Sequence, residues 1–324
     1  MTGKGRDWRP EACRRALELR ARVNARIRAF LEARGVLEVE TPALCQAVAP
    51  EANITPLAVA AGEGRRWLHT SPELAMKRLL AAGSGPIYQL CHVWRAGERG
   101  RWHNPEFSLL EWYRPGFRLT QLMDEVEALV QQVAEGIRPL PMPFVRMTWA
   151  EAFARFAGLS DPHRAPVEAL RAVLAQRGVE VAAVAENDLD AWRDLVLVHC
   201  VEPALPAAVF LHDYPASQAA LAHVRPGDPP VAERFEVYLG GLELANGFFE
   251  LRDPVEQRRR FRQENQRRET AGLAPLPLDE AFLAALEAGL PPTAGVALGV
   301  DRLLMWLLGA ERIDAVLAFP WERA

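Results

Sequence analysis

The sequence predicts an α+β fold of β-hairpins and amphipathic helices, with a helix-rich segment set between them, and three stretches carry that reading. Ile87 to Val93 is apolar at both parities, as in a strand covered on both faces, and a return strand runs from Glu106 to Tyr113. RFEVYLGGLELANGFFEL, from Arg234 to Leu251, reads as a second hairpin that turns at Gly240-Gly241. Glu11 to Arg34 places Leu19, Val23, Ile27, Phe30 and Leu31 on one helical face, with Gly35 where a left-handed C-cap is expected.

The bounds are those of a soluble enzyme. The chain of 324 residues is expected to form one large domain with an inserted part. A formal net charge of -4 carries no basic footprint for bulk nucleic-acid binding, so no tRNA partner is expected. Cys13, Cys45, Cys91 and Cys200 have no C-x-x-C spacing, which suggests neither a zinc site nor a disulfide framework and fits a reducing, cytoplasmic setting. No apolar run approaches the length of a membrane span, and the N-terminal residues lack the apolar core of a signal peptide.

After the first helix, Val36 to Glu40 is a short strand stopped at Thr41-Pro42, and this pair of elements suits either a dimer interface or a plain connection. Ser71, Pro72 and Glu73 open the helix Leu74 to Ala82. They read as an N-cap, a first-turn proline and a dipole-matched carboxylate, or as a carboxylate placed to take a substrate ammonium. The hairpin loop from Ala96 to Pro105 carries Glu98, Arg99, Arg101, His103 and Asn104, too polar for packing. Arg95 ends its first strand, and Phe107, Glu111 and Tyr113 share a face of the second. Together they offer a phosphate fork, a ring on which a purine can stack, a carboxylate and a phenol. His103 can hydrogen-bond a phosphate and Glu98 an exocyclic amine.

From about residue 118 to 205, helices at 119–133, 167–176 and 191–200 alternate with proline-rich joins and carry no chemical motif. Ser217 and Gln218 follow a Tyr-Pro turn and could line a pocket or simply tip a turn. In the second hairpin Glu243 and Glu250 are seven apart, on opposite faces of a regular strand. A bulge at Asn246-Gly247 would return them to one face, where two carboxylates beside phosphates suit Mg²⁺. The arginine-rich helix from about Pro254 to Thr270 reads as a solvated rim. In TAGVALGVDR, small residues on a strand allow close ligand approach, and Arg302 projects from a helix start where a polyphosphate would lie.

Three stretches, GVLEVETP, VWRAGERGRWHNPEF and GVALGVDR, resemble the three motifs of class II aminoacyl-tRNA synthetase catalytic domains, the lysyl enzymes above all. TSPELAMKRLL, HNPEFSLLEWYRP, PASQAALA, VAERFEVY and GLELANGF are similar, over nearly the whole chain from about Val23, to the family of ligases that attach (R)-β-lysine to elongation factor P. The resemblance implies an antiparallel sheet flanked by helices, a cytoplasmic homodimer, and no anticodon-binding domain. It implies ATP-dependent activation of (R)-β-lysine and transfer to a lysine of elongation factor P. A minimal lysyl-tRNA synthetase and a non-catalytic regulatory relative are the other readings.

Residue by residue, the resemblance implies that Arg95, Arg302 and Glu243 are catalytic. Arg95, Glu98, His103, Phe107, Glu243, Leu244, Gly299 and Arg302 would hold ATP, with the adenine between Phe107 and Arg302. Ser71, Glu73, Tyr113, Asn246, Glu250 and Ala297 would surround the amino acid, and Glu243 and Glu250 would hold Mg²⁺. The chain departs from the family at two places. It has Arg95-Ala96-Gly97-Glu98 where the ligases have Arg-Asn-Glu-Glu, and Ala297 where synthetases have glycine. The Ala297 methyl is expected to disfavour α-lysine relative to β-lysine.

Overall fold

A computed structural model describes residues 8–62, 64–181, 184 and 188–324. Its elements, in chain order, are α1 (Arg14–Glu32), β1 (Leu37–Glu38), β2 (Leu44–Cys45), β3 (Ala58–Ala61), β4 (Gly64–Leu68), α2 (Glu73–Ala81), β5 (Ile87–Trp94), β6 (Glu106–Pro115) and α3 (Leu119–Ala134). Then follow β7 (Val145–Thr148), α4 (Trp149–Ala152), α5 (Val167–Gln176), α6 (Leu189–Val196), β8 (Ala208–Pro215), β9 (Val224–Arg225), β10 (Val231–Leu239) and β11 (Leu242–Phe249). The chain closes with α7 (Pro254–Thr270), α8 (Glu280–Gly289), β12 (Thr293–Gly299) and α9 (Val300–Leu308).

Among the described residues, nine strands form one sheet in the order β1-β5-β6-β12-β11-β10-β8-β7, with β9 on β10. The interior pairs are antiparallel, whereas β1 on β5 and β7 on β8 are parallel, so the sheet is mixed at its edges rather than antiparallel throughout. The β10–β11 hairpin closes on Gly240 and Gly241, both at positive φ, as a two-residue turn matched to strand twist requires.

One face of the sheet is dry. Tyr88, Leu110, Trp112, Ala294, Val296 and Leu298 point to it, and α1, α3 and α9 cover it with Leu19, Val23, Ile27, Phe30, Leu122, Val126, Leu303 and Leu304. Each of these large side chains contributes about 1.5–3 kcal/mol through burial. Asp301, 2% exposed at the start of α9, accepts the Ser108 backbone N–H at 2.7 Å and is ion-paired with Arg20 of α1. One carboxylate thus ties a helix start, a strand and a second helix together, and it fixes where the next residue, Arg302, points.

The other face is covered only at its ends. At one end α2, α7 and α8 pack through Leu74, Met76, Leu80, Phe261 and Phe282 onto Ile87 and Tyr113. At the other, α4 to α6 form a second core with Val209, Leu211 and Tyr238. This core starts later than the sequence suggests: α3 belongs to the main layer, and β7 is a strand of the main sheet. Between the two covered ends lies the candidate site.

Candidate active site

Register decides which side chains meet on the open face. Tyr113 pairs with Gly295, Glu111 with Ala297, Asn246 with Ala297 and Glu236 with Asn246, so residues from four adjacent strands project together. Glu111 is 2% exposed and sits at the centre. Its Oε1 accepts the Tyr113 hydroxyl at 2.6 Å and its Oε2 the Ser71 hydroxyl at 2.6 Å. Ser71 Oγ also accepts the Glu73 backbone N–H at 3.0 Å, so it both caps α2 and ties the helix start to the site. Four residues along, Lys77 is fully buried, its Nζ 2.6 Å from Glu73 Oε1 and 2.5 Å from Glu250 Oε2.

Gly295 makes this packing possible. A Cβ there would overlap the Tyr113 ring and lie 2.5 Å from Glu250 Oε1, so that carboxylate oxygen rests directly over the backbone of β12. Two carboxylates, Glu73 and Glu250, therefore contact one ammonium, with Glu111 beyond them bonded to Ser71 and Tyr113. Burial, then the neighbouring Glu73, pushes the proton affinity of Glu111 above the usual carboxylate range. Burial does the same to Glu250 against the pull of Lys77. For Lys77, burial opposes the charge, but Glu250 and Glu73 together outweigh it and raise its pKa. Arg234 backs the pocket, with its Nε 3.3 Å from Asn246 Oδ1 and an Nη1–H donated to the Gln218 carbonyl at 2.9 Å.

The adjoining end is cationic. Arg302 donates to the Glu243 carbonyl at 2.7 Å, approaches Glu243 Oε2 at 3.2 Å and meets His103 Nε2 at 2.8 Å. Burial and the Arg302 charge lower the His103 pKa, which leaves a neutral imidazole beside the guanidinium. Arg95 lies over the Phe107 ring at 5.0 Å, donates to the Thr70 carbonyl at 3.3 Å and is 3.6 Å from Glu98. Two arginines with unspent donors, a neutral histidine and a flat ring at one end, and a carboxylate cage at the other, can hold a nucleotide polyphosphate against an amino acid that carries ammonium groups.

Comparison with known proteins agrees with this division. The family described as tRNA synthetases class II (D, K and N) matches residues 3–323. The chain belongs to that family. Proteins named elongation factor P–(R)-β-lysine ligase from Proteus mirabilis and Vibrio vulnificus are each 47% identical to it; 98% of this chain aligns in each case, with 98% and 99% of the relatives. The corresponding protein of Klebsiella pneumoniae strain 342 is likewise 47% identical over 98% of both chains. Class II synthetase membership implies ATP use, and the relatives are ligases by name.

Within this synthetase fold most of the expected residues converge, and some do so differently from the sequence reading. The bulge in β11 lies at Leu244, where pairing steps from Tyr238↔Glu243 to Val237↔Ala245, and not at Asn246-Gly247. It puts Glu243, Asn246 and Glu250 on the open face but leaves Glu243 and Glu250 roughly 20 Å apart along the strand, at about 3.3 Å per residue. With Glu250 also bound to Lys77, the two do not form one metal site. Among the described residues no cluster of three or more His, Cys, Asp or Glu side chains is placed to hold a metal. Leu244 is buried in the main core, so only its backbone faces the site, where its carbonyl lies near Gly299. The Ser217 and Gln218 side chains bond Asp190 and Asp194 of α6 at 2.7 and 2.6 Å, and it is the Gln218 carbonyl that meets Arg234 behind the pocket.

Four groups were not among the expected site residues. Lys77 hid as an ordinary helix cation, and Glu111 was expected to offer a carboxylate to the shared surface but was given no role toward the amino acid. Glu236, whose Oε2 accepts the hydroxyls of Tyr214 at 2.6 Å and Tyr238 at 2.7 Å and which is ion-paired with Arg234, lies across the hairpin from Asn246. Glu51 sits on the loop that crosses the mouth, which is tied down by Arg268 to the Glu51 carbonyl at 2.9 Å and by the Ala96 N–H to Thr55 at 2.7 Å. Burial pushes the Glu51 carboxyl up to about 7 despite Arg95.

Proposed function

We propose that this protein activates (R)-β-lysine with ATP as an aminoacyl-adenylate and transfers it to a lysine side chain of elongation factor P. The observation that carries this reading is a charge count. With their protons displaced, Glu73, Glu111 and Glu250 against Lys77 give the amino-acid pocket two negative charges in excess (three carboxylates less one ammonium), and the raised proton affinity of Glu111 and Glu250 is what an incoming cation would displace. An amino acid with two ammonium groups cancels that excess, whereas one with a single ammonium leaves a charge buried and uncompensated. The names of the relatives supply the particular diamino acid and the acceptor.

In the first step the substrate carboxylate attacks the α-phosphorus of ATP and pyrophosphate leaves. Arg95 and Arg302 stabilise the charge spread over the phosphates, Phe107 offers its ring to the adenine, and Glu98 and His103 contribute hydrogen bonds. Tyr113, Asn246 and the three carboxylates orient the amino acid. Mg²⁺ would fit the phosphate end through Glu243, a part-exposed carboxylate beside Arg302; a few carboxylates plus phosphate oxygens are its usual donors. There it would neutralise phosphate charge. In the second step an acceptor ε-amine attacks the acyl carbon and AMP departs. Pairing of two subunits through α1 and β1 completes the proposal, and Leu37 of β1 is 58% exposed.

The test is transfer of labelled amino acid with ATP and Mg²⁺, offered in parallel to elongation factor P and to lysine tRNA. Label on the protein, strongest with (R)-β-lysine, is expected. Label on tRNA alone would replace this reading with a tRNA synthetase, and label on neither would refute both.

A further inference from the structure

The feature that the proposed reaction does not use is the buried amine at the floor of the pocket. Lys77 reaches from α2 between two carboxylates that come from different parts of the chain, one on its own helix and one just past β11. Its side chain is 0% exposed. It takes one oxygen of each: Oε1 of Glu73 and Oε2 of Glu250. The second oxygen of Glu250 is thereby held over Gly295, beside the Tyr113 ring. Composition sharpens the point. Of the 38 basic residues in the sequence only Lys4 and Lys77 are lysine. A chain that otherwise uses arginine nearly everywhere keeps, at this position, a compact ammonium with three tetrahedral donors, where a planar guanidinium would not sit between two converging carboxylates.

We propose that Lys77 is the fixed internal cation of the amino-acid pocket: it positions Glu73 and Glu250 and neutralises one of the three carboxylates, leaving two for the ammonium groups of the substrate, which makes it a specificity-determining residue for diamino acids. Lys77 does not touch the reacting atoms. It acts through the two carboxylates, and the groups that face it are Glu73 of α2 and Glu250 after β11, with Glu111 of β6 and Tyr113 beyond them. A cation that only filled space in the core would be replaceable by any apolar group of its length.

This inference rests on the proposed amino-acid site, and ATP–pyrophosphate exchange separates the two. Wild-type protein that supports no exchange with (R)-β-lysine sinks the proposed substrate. The Lys77 comparison is then made with whichever diamino acid supports exchange. In Lys77→Ala and Lys77→Met we expect the KM for the amino acid to rise about 10- to 100-fold, as when a buried charged group loses its partner, while kcat and the KM for ATP change less than about threefold. Propylammonium, which replaces the deleted atoms of Lys77→Ala, is expected to lower that KM at least about tenfold and to raise the melting temperature of the variant, and 1-propanol, its neutral isostere, to do neither. Wild-type protein in the same amine is the reference for competition. If Lys77→Ala does not fold, Lys77→Met, which fills the space without charge, carries the KM comparison. Wild-type KM in either variant, or equal rescue by the alcohol, overturns the proposal.

Discussion

Gly295→Ala is the sharpest single perturbation of the pocket. Gly295 does not have positive φ, so alanine fits its backbone and the effect comes from the added methyl alone. That methyl would overlap the Tyr113 ring and stand 2.5 Å from Glu250 Oε1, roughly 1 Å inside ordinary van der Waals contact. Neither neighbour is free to move away. Tyr113 is held by its 2.6 Å bond to Glu111, and Glu250 by its 2.5 Å pair with Lys77. Overpacking of this kind costs about 1–3 kcal/mol. Set against amino-acid binding, that is roughly 5- to 150-fold in KM. The assay is ATP–pyrophosphate exchange with amino acid and ATP varied in turn, and only the amino-acid KM is expected to rise. A Gly295→Ala protein with wild-type amino-acid KM would show that the cage of Tyr113, Glu111 and Glu250 does not form the amino-acid pocket.

Further outcomes follow from the same geometry. Glu111 and Glu250 bind protons more tightly folded than unfolded, so the stability that they contribute is present at low pH and falls as pH rises upward from the ordinary carboxylate range. A dicationic amino acid should therefore bind better from about pH 6 to about pH 8 and release protons, which calorimetry in buffers of different ionisation enthalpy reads directly; proton uptake would refute the charge count. Arg302→Gln should lower kcat/KM for ATP by about 10²- to 10³-fold, and a loss below tenfold would remove Arg302 from the phosphate site. Ala297→Gly should shift the α- to β-lysine activation ratio toward α-lysine by about 1–3 kcal/mol, and an unchanged ratio would end the role assigned to that methyl. Asp301→Ala should cost about 3–5 kcal/mol of stability in denaturant unfolding, because Arg20 and the Ser108 N–H lose their shared partner.

The elements that were legible in the sequence are those whose signal is local. α1 buries the five expected residues, and Gly35 has the positive φ that ends it. α7 spans the expected residues, and Glu256, Glu264 and Glu280 pair with Arg258, Arg259, Arg260 and Arg267, but it is a rim on one side alone, since Gln257, Phe261 and Arg268 are buried and Arg268 holds the loop at Glu51. The placement of Arg95 and Arg302 is legible because a strand end and a helix start aim them, Arg95 directly after β5 and Arg302 in the first turn of α9. What was not legible depends on contacts between distant segments. Nothing near Lys77 in the chain announces that Glu250, 173 positions later, will meet its amine. The bulge position escaped because both Leu244 and Asn246 satisfy the alternation, and only pairing to β10 chooses between them. Ser71 was read as either a cap or a ligand, and its one oxygen both caps α2 and bonds Glu111.

The lysine at the floor of the pocket has a consequence for self-damage. An aminoacyl-adenylate acylates any neutral primary amine that it meets, and the proteins that make one are the first exposed to it. Among the described residues of this chain the only lysine nitrogen is that of Lys77, sealed from solvent and held as an ammonium by two carboxylates, so it has no lone pair with which to attack. The cations on the described surface are guanidinium groups, which stay protonated and do not acylate at neutral pH. On the described residues an adenylate leaked in the proposed reaction would therefore meet no free lysine amine, and an acceptor lysine would face no competition from one.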